Sequence, residues 1–172
     1  EDHAVIEKLF GLGKFVIVHA EDEETIRAHA AKYKDSEDPS VHSLIRDPSA
    51  ALKAVKTILH IAKKCDARVH ITHLSTLGEV EELRKFKGPK VSADCTPHHL
   101  YLDQSDYAKL GNSVKMNPPV RTKEDRAALW AALKEGLIQA IATDHAPHTK
   151  AEKEQPYSKA PSGVPTIETY LA

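Results

Sequence analysis

Apolar positions along this chain follow two alternating rhythms. Four short runs read as strands: Phe15 to Val18 leading into His19, Arg68 to His73, Lys90 to Asp94, and Gln139 to Asp144. Buried parallel strands carry near-continuous apolar runs bounded by turn residues. Between them the spacing becomes helical. Glu24 to Lys34 reads as a helix, and Asp47-Pro48-Ser49 supplies a cap and a first-turn proline for a longer one from Ala50 to Lys64, with Leu52, Val55, Ile58, Leu59 and Ala62 on one face. Thr76 to Phe86 follows with Val80 and Leu83 on one face, ended by Gly88-Pro89, and Lys123 to Leu137 is built of good helix formers with Gly136 near its end. Asn117-Pro118-Pro119 marks a rigid extended loop. The stretch 148–165, rich in Lys, Glu, Pro, Ser and Gly, is expected to be a mobile connection and a candidate lid.

Strands separated by helices predict right-handed βαβ units and a parallel sheet, an α/β fold. Four strands do not close a barrel. The candidates are therefore a partial (β/α)8 TIM-type barrel, about four of eight units, or a small open sheet. The ends favour the first. Ala4 to Phe10 reads as the tail of an amphipathic helix and Thr166 to Ala172 as a helix just starting, so residues 1–172 are expected to be one part of a barrel domain truncated at both ends.

Composition narrows the function classes. A net charge of −1 leaves no cationic surplus to replace phosphate counterions, which argues against a nucleic-acid partner. No apolar run approaches the roughly 20 residues that span a bilayer, and the first residues do not resemble a signal peptide, so no membrane partner and a cytoplasmic location are expected. Cys65 and Cys95 lack paired-ligand spacing and read as free thiols. The 11 histidines favour a metal or acid/base site over a plain binding scaffold.

The chemistry concentrates where the strand-like runs end. His19, His73 and Asp144 each follow such a run, and in parallel barrels the C-terminal ends of the strands face the active-site mouth. One histidine there is usually a satisfied polar residue. Two imidazoles and a carboxylate together suit zinc and its neighbours, with an open position left for water.

The motifs His19-Ala20-Glu21-Asp22, His73-Leu74-Ser75-Thr76, Thr96-Pro97-His98-His99-Leu100, Lys115-Met116-Asn117-Pro118-Pro119-Val120-Arg121 and Ala142-Thr143-Asp144-His145-Ala146-Pro147-His148 resemble, in order and spacing, those of the dihydroorotase family of the amidohydrolase superfamily. The resemblance runs from about Phe15 to Gly163. It implies a metal-dependent amidohydrolase barrel with two Zn2+ per complete site. His19 and His73 would be ligands to one ion, and Asp144 a ligand to the other and the catalytic acid/base. Asn117 and His148 would line the substrate pocket, with Pro161 and Gly163 supplying backbone contacts. His98 and His99 would be supporting or packing residues on the third strand. The implied reaction is reversible hydrolysis of the cyclic amide of (S)-dihydroorotate to N-carbamoyl-L-aspartate in de novo pyrimidine (UMP) biosynthesis, using a hydroxide that zinc makes available near neutral pH. The implied partner is that small molecule, with self-association or association with other pyrimidine-pathway enzymes.

Two alternatives accompany this reading: a hydantoinase- or allantoinase-type cyclic amidohydrolase, and a catalytically silent dihydroorotase-like scaffold subunit. The Asn-Pro-Pro loop and the second histidine after Asp144 favour dihydroorotase over the first. Joint retention of His19, His73 and Asp144 argues against the second. The family's His-x-His-x-Arg motif and its bridging carboxylate or carboxylated lysine have no counterpart here, and Pro165-Thr166 stands where the family has a Gly-containing pair. The isolated chain is accordingly expected to be inactive.

Overall fold

A computed structural model describes residues 3–86 and 90–169. Helix α1 (His3–Phe10) leads into β1 (Phe15–Val18), α2 (Glu23–Ala30), α3 (His42–Ile45), α4 (Pro48–Cys65), β2 (Arg68–Ile71), α5 (Leu77–Lys85), β3 (Val91–Cys95), α6 (Pro97–Tyr101), α7 (Tyr107–Leu110), α8 (Lys123–Lys134), β4 (Ala140–Ile141) and α9 (Lys150–Lys153). The four strands form one parallel sheet in the order β1-β2-β3-β4, the α/β arrangement of a partial TIM-type barrel.

Local chemistry accounts for the long helices. Asp47 accepts the Ser49 and Ala50 N–H groups, and Pro48 occupies the first turn of α4. Asp66, in the left-handed region at φ 51°, ends it. Reciprocal capping boxes start α5 (Thr76 with Glu79) and α8 (Thr122 with Asp125). Val55, Ile58, Leu59 and Ile61 of α4, Val80 and Leu83 of α5, and Leu129 and Ala132 of α8 close over Val69, Ile71, Ala93 and Cys95 of the sheet to form the main core.

The opposite sheet face is largely polar. On β2 and β3 it carries His70, Ser92 and Asp94, joined by hydrogen bonds, and apolar exposure is concentrated at Phe15 and Ile17 of β1.

Several elements differ from the sequence reading. The last strand has only two residues, although the Gln139 and Ala142 N–H groups still pair with the Ala93 and Cys95 carbonyls. Asp144 therefore lies in a turn beyond the strand. The second helix stops at Ala30 and continues in tight i→i−3 turns, and α8 stops at Lys134. His98 and His99 sit on α6, not on β3, because Thr96 caps a new helix with Pro97 in its first turn. The Gly88-Pro89 helix stop lies outside the described residues. The 148–165 stretch is not an unanchored loop: it contains α9, and the side chains of Lys115 and Lys153 fasten it to the body. Among the described residues, no helix is long and apolar enough to cross a membrane.

Candidate active site

Because the sheet is parallel, the residues following β1, β2, β3 and β4 emerge on one rim. There Nδ1 of His19 lies 2.8 Å from Nε2 of His73, with the rings edge-on. Nε2 of His19 donates to Glu21 Oε2 at 2.9 Å, which leaves the Nδ1 lone pair facing His73. Glu21 is held in turn by Arg46, whose Nη2 lies 2.5 Å from Oε2. Burial alone would raise the Glu21 pKa, but hydrogen bonds from His19 and Arg46 outweigh it and bring it down to about 2.

His73 is held through its backbone. It adopts φ 41°, an uncommon conformation for a residue with a Cβ, and its N–H donates to Asp94 Oδ1 at 2.6 Å. Asp94 Oδ2 accepts from His70 Nε2 at 2.8 Å. Burial beside His19 pushes the His73 pKa down, against the opposing fields of Asp144 and Asp94. Asp144 is also left-handed, at φ 44°. It shares a cavity of about 150 Å3 with Thr72, His73, Asp94, Thr96 and Ala142.

The rim thus brings His73 together with both His19 and Asp144. Tetrahedral zinc ligand nitrogens about 2.0–2.1 Å from the ion stand roughly 3.3 Å apart, so the two imidazoles are within a small movement of sharing an ion. The donor types, and the support of the His19 ring by the Glu21 carboxylate, fit zinc. Among the described residues, no group of three His, Cys, Asp or Glu side chains is close enough to hold a metal by itself.

The other expected residues lie apart from that cavity. Asn117 Oδ1 accepts from Nε2 of the buried His42 at 2.9 Å, and Tyr157 O–H bonds His42 Nδ1 at 3.0 Å. His148 Nε2 contacts the Ser162 carbonyl at 3.2 Å and lines a second cavity, of about 310 Å3, with Lys153 and Gly163. The Pro161 carbonyl faces Lys153, while Gly163 donates its N–H to Lys115 O and gives its carbonyl to Lys153. Gly163 has φ 144°, and a Cβ there would lie 2.6 Å from the Ala146 carbonyl oxygen, so only glycine fits. Thr166 bonds the Thr143 carbonyl through its hydroxyl and His145 Nδ1 through its N–H, which gives this non-glycine position a stitching role.

His99 is satisfied by Thr96 Oγ1 and the Pro118 carbonyl. His98 is buried with neither ring nitrogen hydrogen-bonded, and burial brings its pKa down to about 3. Sequence reasoning passed over Asp94, Arg46, Lys115 and Lys153. Only the position of Asp94 at a strand end signalled its role. The others act through contacts between segments far apart in the chain.

No protein-family model matches the chain. It is 38% identical over 171 residues to a dihydroorotase from Bacillus licheniformis, an alignment covering 97% of this chain and 39% of the relative. It is 40% identical over 156 residues to a dihydroorotase from Halobacterium salinarum, covering 91% and 36%. The chain thus spans about two fifths of the length of the curated relatives it matches. Among solved structures it superposes on a D-hydantoinase from a Bacillus sp. AR9 with TM-score 0.92 and 27% identity, over 99% of this chain and 40% of that one. The parallel sheet, the rim and these comparisons agree in one direction: the chain is similar in sequence to about two fifths of the length of curated dihydroorotases and shares its fold with part of a D-hydantoinase.

Proposed function

We propose that this chain carries part of the active site of a zinc-dependent dihydroorotase, which interconverts (S)-dihydroorotate and N-carbamoyl-L-aspartate in pyrimidine biosynthesis. The observation that carries the reading is the 2.8 Å approach of His19 to His73, with Asp144 lining the cavity that His73 enters.

His19 and His73 would hold the metal. Zinc, when bound, supplies a nucleophile of hydroxide strength near neutral pH and polarises the amide carbonyl. Glu21 fixes the His19 tautomer, and Asp94 fixes the backbone that aims His73. Asp144 accepts the proton of the attacking water as the new C–O bond forms, and returns it to the ring nitrogen as the C–N bond breaks. Its exposure and left-handed turn place the carboxylate at the rim, where a substrate can reach it.

A hydantoinase-type activity is the second reading, favoured by the fold match to the Bacillus sp. AR9 enzyme. The dihydroorotase relatives share more sequence, at 38% and 40% identity against 27%. The test is zinc content and hydrolysis of dihydroorotate and of hydantoin by the full-length protein. Zinc-dependent turnover of dihydroorotate in preference to hydantoin is expected, and the reverse preference would establish the second reading.

A further inference from the structure

Lys153 and Lys115 are set apart from the other lysines among the described residues by what they bond. Neither forms an ion pair with a carboxylate among the described residues; both spend their ammonium groups on backbone carbonyls. Lys153 Nζ donates to the carbonyls of Lys115, Pro161 and Gly163, each at 3.0 Å, so all three of its N–H groups are used. Lys115 Nζ donates to Tyr157 O at 2.7 Å and Ala160 O at 2.6 Å, and lies 4.3 Å from the Tyr157 ring centroid. The Gly163 N–H closes the arrangement on Lys115 O at 2.9 Å.

An ammonium withdrawn from water without a counter-charge is unfavourable unless its hydrogen bonds are complete. For Lys153 they are complete, and the arrangement brings three segments together. One is the segment that leads from the 3-10 helix Gly111–Val114 to Asn117. The second is the 157–163 segment. The third is the turn from Asp144 to His148, against which Gly163 packs so closely that its missing Cβ would lie 2.6 Å from Ala146 O.

We propose that Lys153 is a positioning residue: its ammonium, caged by three carbonyls, holds the 157–163 segment and the Asn117 segment in one arrangement beside the Asp144 turn, and so shapes the substrate side of the site. The catalytic consequence rests on the cyclic-amide hydrolase reading; the mechanical part does not. A guanidinium is planar and cannot address three carbonyls arranged around a tetrahedral ammonium, so charge alone does not substitute for lysine here.

The test uses the full-length protein and its K153M and K153R variants, with two measurements. Amide hydrogen exchange across 157–163, Gly163 above all, should quicken about tenfold or more in both variants. KM for dihydroorotate should rise about tenfold, with kcat within about threefold of wild type, because substrate placement is lost while the rim chemistry stays. If the wild-type enzyme prefers hydantoin, the same KM comparison is made on hydantoin, so failure of the substrate assignment remains distinct from failure of this proposal.

Unchanged exchange in K153M overturns the proposal, as does faster exchange with KM unaltered or full rescue by K153R. Should K153M fail to fold, the wild-type protein supplies the same test. Burial and the nearby Lys115 bring the Lys153 pKa down to about 8. Lys150, Glu154 and His148 are the other titratable groups around its cavity. Raising the pH from about 7 to about 9.5 should therefore loosen 157–163 beyond the intrinsic rise in exchange rate, and no such loosening overturns the proposal.

Discussion

Asp94 Oδ1 accepts the backbone N–H of His73 at 2.6 Å, so one carboxylate two residues before the Thr96 cap holds the left-handed turn that aims the His73 ring at His19. Asp94 is 4% exposed, and removing it would strand a buried N–H and a strained backbone together. Asp94→Ala should destabilise the full-length protein by about 1–3 kcal/mol and weaken zinc retention, whereas Asp94→Asn, which keeps an acceptor for that N–H, should be milder. Urea unfolding and metal analysis of both variants check this, and equal behaviour of the two would refute the backbone role.

Asp144→Asn tests the proton-transfer assignment. The amide keeps the size of the side chain and loses the base. In the full-length protein the variant should keep part of its zinc and lose roughly 10²–10⁴-fold in turnover of dihydroorotate. Near-wild-type hydrolysis would remove Asp144 from the mechanism.

Acid sensitivity should trace in part to His42. Burial brings its pKa down to about 4, only partly offset by its bonds to the Met116 carbonyl and Asn117. A histidine whose folded pKa lies below its unfolded value of about 6.5 favours the folded state in its neutral form. Its contribution is present above about pH 6.5 and is lost as the pH falls toward 4, by on the order of 3 kcal/mol in full. His42→Gln should therefore flatten the loss of stability between about pH 7 and pH 4.5, measured as the shift in urea midpoint; a slope identical to wild type would show that His42 does not titrate on unfolding.

The 172 residues expressed alone should self-associate and bind zinc weakly, without dihydroorotase turnover. β1 and β4 are the outer strands of the sheet, and Phe15 and Ile17 on β1 are 51% and 62% exposed. Open strand edges of this kind pair with other chains. Sedimentation of the wild-type fragment against a F15K/I17K double variant checks the cause, with the variant expected to shift toward monomer. A monomeric wild-type fragment with full turnover would contradict the expectation.

The alternation of apolar runs and helical spacing was enough to specify a parallel α/β sheet, because strand and helix periods are local properties and βαβ handedness leaves few arrangements. The same local signals marked His19, His73 and Asp144, which the structure sets on one rim because the residues that follow the strands of a parallel sheet leave at the same edge. Tertiary structure decided the rest. His98 and His99, expected on the third strand with the family resemblance, lie on α6 because the Thr96 cap and Pro97 start a helix directly after that strand. The 148–165 segment, polar enough to read as a mobile lid, is held by Lys115 and Lys153 through backbone carbonyls, acceptors that every residue carries and that no sequence pattern marks. Arg46 reaches Glu21 across 25 residues and Asp94 reaches the His73 N–H across 21, because a hydrogen bond is set by position in space, and composition and spacing along the chain do not encode that position directly.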